Sequence, residues 1–361
     1  MKTTTRFNRS RMAQRAAFTL IELMVVITII AALAALTASA VLKFMEVQQT
    51  SNTQSTLDRV QSQLGRAWSK VKDDANRSPM TELVYPGALP PPLPGQNVGQ
   101  WIQLNLAGSD ANATGRTRAI YVKLRLRQAF PMNFAEALNV PYQNPELANW
   151  GLLTLVNPSP LPPLPAYVTY LTNLGFNGLF VSPQPYPQAY ESSACLLMAL
   201  QRGVSGAGID PSELTTGGAT GSFVTPSGGN LPYLTDAWGR PIFFSRFPTG
   251  STYLNPAGAL VGNNDPGDPQ GYLNSPYWQT LPAQQNLFSQ LALQQLAPKM
   301  SPPLSFKLAP MVASGGPVNW TKPGIPLTFD AITFSIAKGY FIYPTGPASL
   351  TIGSGAVFSI P

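Results

Sequence analysis

The sequence predicts an α+β protein. A long N-terminal helix, transmembrane in its first part and amphipathic in its second, precedes a helix- and loop-rich globular part that closes with a small antiparallel sheet. Three observations carry this. Leu23 to Leu42 is a run of 20 residues without a charge, and a helix of that length spans about 30 Å, the thickness of a bilayer's hydrocarbon core. From Lys43 to Asn76 the chain turns polar but keeps apolar residues at Leu57, Val60, Leu64, Ala67, Trp68 and Val71. Those steps of three and four mark one helix face, and no proline interrupts them before Pro79. Near the C-terminus Ile332, Phe334 and Ile336 alternate as in a half-buried strand, in a stretch cut by glycine and proline turns.

The start of the chain carries the functional reading. Glu22 stands directly before the apolar run, and five basic residues precede it (Lys2, Arg6, Arg9, Arg11 and Arg15) with no acidic one. A carboxylate at the mouth of a membrane span is costly, which makes Glu22 a functional candidate. Basic residues ahead of the span predict a cytoplasmic leader and an exported bulk. The residues alone leave two plain readings. A secretory signal peptide would have this basic start, an apolar stretch, and Ala38-Ser39-Ala40 as its A-x-A cleavage site. Against it stand the acid at the head of the apolar run and a helical pattern that continues past residue 40. An uncut membrane anchor needs only the span.

A third reading comes from resemblance. Ala17 followed by Phe18-Thr19-Leu20-Ile21-Glu22 and an apolar helix resembles the N-terminal motif of the type IV pilin and type II secretion pseudopilin family, with alanine where the family usually has glycine. The resemblance implies that a prepilin peptidase cuts between Ala17 and Phe18 and methylates the new Phe18 amine. It implies a single-pass subunit of the inner membrane, leader cytoplasmic and globular domain periplasmic, assembling with other pilin-like subunits through the N-terminal helix. In the family the glutamate faces the terminal amine of a neighbouring subunit. Electrostatics agrees, because a buried charge needs an opposite one and that amine is the nearby cation. The expected segments are a leader over 1–17, a helix over 18–76 with its transmembrane part at 18–42, and a globular domain over 77–361.

Composition sharpens this. Charged residues make up only 11 %, against 30 glycines and 37 prolines, which predicts a loop-rich and mostly uncharged surface. The net charge of +7 is mainly the leader's: it holds five of the 23 basic residues, leaving 18 against 16 acidic, or +2. No nucleic acid is therefore expected as a partner. Cys195 is the only cysteine, so no intrachain disulfide or CxxC metal site is available.

Along the globular part, Val84–Gly115 reads as a loop insertion, polyproline-like around Pro90-Pro91-Pro92 and Pro94. Arg116–Ala129 reads two ways. Val122, Leu124 and Leu126 alternate with Lys123, Arg125 and Arg127 as in a strand, yet good helix formers dominate and Phe130-Pro131 would stop a helix; helix is preferred. Its basic run invites comparison with DNA-uptake pilins, but no aromatic series is interleaved, so a solvated face is expected. Asn144–Pro187 is again loop-rich, with a short helix at Tyr167–Leu174. Ser192–Arg202 predicts a helix capped by Ser192 or Ser193 and ended by Gly203, with Cys195 as a small buried hydrophobe. Gly203–Gly229 reads as glycine-rich loop and Gln284–Leu296 as another helix. Strands are expected at Ile242–Phe247, Ala331–Ile336, Tyr340–Tyr343 and Leu350–Ile360.

Leu234-Thr235-Asp236-Ala237-Trp238-Gly239-Arg240-Pro241 is similar to the Asp-Pro-Trp-Gly-x-Pro segment of major pseudopilins, with Ala237 in place of the first proline. Read from the residues, it is a turn into a strand. Asp236 accepts backbone hydrogen bonds two residues on, Gly239 supplies a left-handed conformation, and Trp238 anchors the turn. Combined with the N-terminal motif, it favours the pseudopilin branch, a structural subunit of a type II secretion pseudopilus or related filament. An adhesive or DNA-binding type IV pilin and a membrane-anchored binding domain that never polymerises remain the alternatives.

No enzymatic activity is expected. Without histidine there is no Ser-His-Asp or Cys-His machinery and no imidazole metal ligand. The glycine-rich stretches lack the Lys-Ser/Thr of a phosphate loop, so the motive force for assembly would come from a separate ATPase of the secretion or pilus machinery. Calcium is the one cofactor the resemblance suggests. Asp265 and Asp268, in Asn263-Asn264-Asp265-Pro266-Gly267-Asp268, offer hard oxygens at loop spacing, without the terminal glutamate of an EF-hand.

Overall fold

The computed structural model describes residues 20–143, 155–156, 158–176, 188–203, 213, 220–225, 228–246, 267–288, 291, 310–314, 333–335, 340–342 and 357–359. The chain divides into two compact units, Met1–Gln48 and Gln49–Pro361. Helix α1 (Leu20–Arg77) gives its apolar half to the first unit and its polar half to the second. In the first unit the described side chains from Leu20 to Gln48 are exposed.

The second unit is built on the amphipathic half of α1. Leu57, Val60, Leu64, Ala67, Trp68 and Val71 are all buried, the face the three-and-four spacing predicts. Trp68 stacks at a tilt on Phe130, ring centroids 5.3 Å apart. Gln61 is buried too, and its amide imitates a neighbouring strand: Nε2 donates to the Pro310 carbonyl at 2.9 Å and Oε1 accepts the Val312 N–H at 3.3 Å.

The stretch expected to be loop over 84–115 folds in its second half. Asn97 Oδ1 accepts the Gln100 N–H (2.8 Å) and Gln100 Oε1 accepts the Asn97 N–H (3.2 Å). This capping box starts α2 (Val98–Ile102), which runs into a π-helical turn at Gln103–Ala107. Val98, Trp101, Ile102 and Leu106 are buried by it. Asn-x-x-Gln ahead of an apolar run was legible in the sequence, but the prolines just before it dominated the composition.

Helix α3 (Ala113–Ala129) resolves the ambiguous segment as helix, and it ends at Phe130, which the following proline keeps out of the helical conformation. The expected solvated basic face is corrected. Arg116, Lys123 and Arg127 are buried, because α3 packs against α2, the π-helical turn and α4 (Phe134–Leu138) at once and has little surface left to expose. Strands β1 (Tyr142–Gln143) and β2 (Leu155–Val156) pair antiparallel. Helix α5 (Pro165–Asn173) begins on a proline, whose missing N–H costs nothing in a first turn.

Helix α6 (Gln188–Arg202) starts earlier than its serines suggested. Ser192 and Ser193 are not caps. They lie inside the helix and bond outward to the strands it covers: Ser192 Oγ donates to the Phe244 carbonyl (2.9 Å) and Ser193 Oγ to the Leu234 carbonyl (2.8 Å). Gly203 does end the helix. Its N–H reaches the Ala199 carbonyl, and a Cβ there would sit 2.2 Å from that oxygen.

The expected loop over 203–229 hides a strand. β3 (Thr220–Val224) pairs antiparallel with β4 (Asn230–Leu234). Gly221 faces Tyr233, whose ring would lie 2.2 Å from any Cβ added at that glycine. The residue that lowers strand propensity is therefore the one the ring requires. β5 (Phe243–Ser245) leads, through α7 (Pro276–Gln279) and α8 (Pro282–Phe288), to β6 (Met311–Ser314). β5, β6 and β9 (Val357–Ser359) form a three-stranded antiparallel sheet, while β7 (Thr333–Ser335) and β8 (Tyr340–Ile342) pair with each other apart from it. The sequence had placed these strands in one sheet and had missed β6. Of the helix expected at 284–296, residues beyond Phe288 other than Leu291 lie outside the described residues.

Candidate functional site

The candidate assembly segment is the apolar half of α1. Ala17 and Phe18, the expected cleavage and methylation positions, lie outside the described residues. Glu22 occupies the first turn of the helix, where the N-terminal dipole favours a negative charge. Around it, Leu20 is 76 % exposed and Phe44 68 %, with Ile21, Leu33, Leu36 and Leu42 between them also exposed. So large an apolar surface requires lipid or protein to cover it. Two threonine hydroxyls of this half are turned onto the helix itself: Thr28 Oγ1 donates to the Met24 carbonyl (2.7 Å) and Thr37 Oγ1 to Leu33 (3.0 Å), so neither proton needs water. Alanines at 31, 34, 35 and 38 would let a neighbouring helix approach closely. By length and composition the helix is sufficient to cross a membrane.

In the second unit the residues of the tryptophan turn come together. Asp236 is buried, and its Oδ1 accepts the N–H of Trp238 and of Arg240, each at 2.9 Å. Gly239 has φ +77° and donates to the Asp236 carbonyl at 3.0 Å. Trp238 packs half-buried against the core. The turn is tied to α1 by the Ala237 N–H, which donates to the Thr53 hydroxyl at 3.1 Å, and Ile242 returns to Leu234 at 2.9 Å. Asp236→Ala leaves two turn amides without their acceptor. At about 1–3 kcal/mol for each such group, urea unfolding is expected to show a loss of about 2–6 kcal/mol, with Asp236→Asn recovering most of it. Equal stability of Asp236→Ala and the parent chain would refute this role.

Asp268 lies in a different turn. Its two oxygens accept the Tyr272 and Leu273 N–H groups at 3.0 and 2.8 Å, capping the 3-10 turn at Tyr272–Asn274. Asp265 lies outside the described residues. Among the described residues no cluster of three or more His, Cys, Asp or Glu is arranged to hold a metal.

Sequence reasoning missed a buried charge network. Glu136 on α4 accepts a two-pronged bond from Arg246, Nη1 to Oε2 and Nη2 to Oε1, both at 2.9 Å, and meets Arg127 Nε of α3 at 3.2 Å. All three side chains are essentially inaccessible to solvent. Arg246 also reaches the Phe130 carbonyl (2.9 Å), and Arg127 the carbonyl of Leu291. Burial would push the Glu136 carboxyl up, but the two guanidinium groups hold it below its ordinary value. Burial, aided by the charge on Arg246, draws Arg127 down to about 10. Next to this network Glu191 of α6 accepts the Phe134 N–H at 2.6 Å. Burial pushes Glu191 up to about 7, with the Glu136 charge adding to the shift and the Phe134 bond opposing it. One turn on, burial and the same two carboxylates push the Cys195 thiol up, which suits a small inert core residue. A signal was present: in a chain with so few charges, Glu136 stands inside the apolar run Phe134–Leu138 and Glu191 lies just ahead of Ala194–Leu200.

Residues 12–38 match the prokaryotic N-terminal methylation motif. No curated protein and no solved structure matches the chain. The motif is consistent with the type IV pilin and pseudopilin family, marks a prepilin-peptidase substrate, and implies pilin-type assembly. With the apolar helix that follows it, it points to a single-pass membrane anchor.

Proposed function

We propose that this chain is a structural, pseudopilin-like subunit, cleaved after Ala17 and methylated on Phe18 by a prepilin peptidase. It then assembles into a type II secretion pseudopilus or a related filament from the inner membrane. The observation that carries this is the methylation motif at residues 12–38 leading straight into a helix whose apolar side chains are exposed. In lipid those side chains are covered by acyl chains. In a filament the same surface is covered by the helices of neighbouring subunits, so extraction from the membrane does not expose it to water. Glu22 then loses its aqueous surroundings and needs a cation. The Phe18 amine of an adjacent subunit would supply it and fix the axial register. The tryptophan turn, similar to that of major pseudopilins, favours the secretion branch over surface pili.

Mass spectrometry of the N-terminus of membrane-extracted protein tests the processing, with methylated Phe18 expected. A terminus at Val41 would identify a signal peptide, and an intact Met1 a static anchor; either result overturns the proposal. Glu22→Ala tests the assembly. The variant is expected to be processed and inserted normally, yet to stay monomeric in the membrane when filaments are sheared and sedimented. Filaments in parental amounts would rule out the register role.

A further inference from the structure

The two proline-rich segments of the globular unit carry nearly the same motif, and the fold treats them oppositely. Leu161-Pro162-Pro163-Leu164-Pro165 is docked onto the protein's own surface. Leu161 is buried and Leu164 packs against the core. The carbonyls of Leu161 and Pro162, and those of Ser159 and Pro160 just before the motif, are taken by donors from elsewhere. Asn139 Nδ2 donates to the carbonyls of Ser159 and Leu161, both at 3.0 Å, Gln128 Nε2 donates to that of Pro162 (2.6 Å), and the Tyr85 N–H to that of Pro160 (2.8 Å). Leu89-Pro90-Pro91-Pro92-Leu93-Pro94 is left outward. Leu89 is 44 % and Leu93 62 % exposed, and among the described residues no donor reaches the carbonyls of Pro91 and Pro92.

The outward segment is nevertheless held in place. Trp101 Nε1 donates to the Pro90 carbonyl at 3.0 Å, and Gln96 brackets Leu93, accepting its N–H on Oε1 and donating to its carbonyl, both at 3.0 Å. The Tyr85–Pro160 bond draws the two segments together. Prolines fix φ and offer no N–H, and the Leu93 N–H is already taken by Gln96, so from Pro90 to Pro94 the backbone presents acceptors only, between two leucine side chains. A partner binding it has little chain to order, which removes one of the usual costs of association.

We infer that Leu89–Pro94 is a docking motif for a separate protein whose surface carries apolar pockets for Leu89 and Leu93, flanked by side-chain N–H donors for the Pro91 and Pro92 carbonyls. The inner copy of the motif shows that arrangement in part, with amide donors on the Leu161 and Pro162 carbonyls, Leu161 buried and Leu164 half-buried against the core. This is the proline-rich recognition mode in which side chains and carbonyls, rather than backbone N–H groups, are read. It is independent of whether the subunit polymerises.

The test places a photo-reactive phenylalanine analogue at Leu93 in the full-length protein, in membranes of cells that make it, with the same analogue at exposed Asp73 as control. A single adduct is expected at Leu93 and none at Asp73. An added peptide of residues 86–96 should abolish it and a scrambled peptide should not. Leu89→Asp should abolish it as well, and the attachment site should lie in an apolar groove bearing Asn, Gln, Trp or Tyr donors. An adduct between two copies of this chain, an adduct indifferent to the peptide, or no adduct beyond the control would overturn the proposal. If Leu89→Asp lowers the melting temperature, the peptide competition, which needs no change at Leu89, decides alone.

Discussion

Glu136→Gln is expected to destabilise the globular unit by about 3–5 kcal/mol, the range for removing one partner of a buried ion pair. The urea midpoint of the full chain in detergent reads it out. The size follows from what remains. Glutamine can still accept hydrogen bonds, but Arg127 and Arg246 become two positive charges in an interior that excludes solvent, with no carboxylate between them. The network also joins α3 and α4 to the residue that follows β5, so the loss reaches helices and sheet together. The sign with pH is fixed by the carboxyl's direction. Glu136 is held below its ordinary value of 4.5, so its contribution is present above that value and disappears as the pH falls through its lower value in the folded protein. Glu82, paired with Arg125 and one-third exposed, provides the contrast. Glu82→Gln is expected to cost about 1 kcal/mol or less, as solvent-screened pairs do. A Glu136→Gln cost no greater than that of Glu82→Gln would show that the buried network does not hold the unit together. Stability does not require charges there: replacing all three residues by apolar ones of matching volume is expected to come out near neutral.

That network marks the boundary of what could be read from the residues. Helix α1 was legible because its period is local: an uncharged run, then apolar residues three and four apart, describe its two environments without knowledge of what packs on them. α5 and α6 were legible for the same reason. The interior of the globular unit was not. A solvated arginine and a buried one look the same in sequence until the partners are known, and Arg116, Arg127 and Arg246 find theirs through contacts across the fold. Arg116 meets Asp110 at 2.7 Å and Ser275 at 2.7 Å, one partner six residues away and the other 159. Ser192 and Ser193 were misread as caps because a helix that covers strands can use hydroxyls sideways on their carbonyls. β3 was missed because Gly221 answers to a ring on the opposite strand rather than to its own propensity. The methylation motif over residues 12–38 was legible because it is a contiguous run of residues that needs no partner from elsewhere in the fold.

Glu191→Gln is expected to do the opposite of Glu136→Gln and to stabilise the protein at neutral and alkaline pH. Glu191 is pushed up from its ordinary 4.5 to about 7 by burial, and the neighbouring Glu136 carboxylate adds to the shift. Folding therefore favours its protonated form. Below the unfolded value near 4.5 the group is neutral in both states and costs nothing. Between 4.5 and 7 the unfolded chain ionises while the folded protein holds its proton, and stability falls as the pH rises. Above 7 both states are ionised and the penalty is complete. A shift of this size corresponds to about 3 kcal/mol, an upper bound because the interior can relax. Glutamine keeps an oxygen for the Phe134 N–H and has no proton to lose. The variant should match the parent at pH 4.5 and exceed it by up to about 3 kcal/mol at pH 8, with the difference opening between those limits. Taking the difference between variant and parent cancels Glu136, whose effect has the opposite sign and lies at lower pH. The chain has no histidine, so no imidazole titrates in the window. Melting temperatures of both proteins at pH 4.5, 6 and 8 are sufficient: a constant gap across the three would mean that Glu191 keeps its ordinary value in the fold, and that the carboxyl is reached by water.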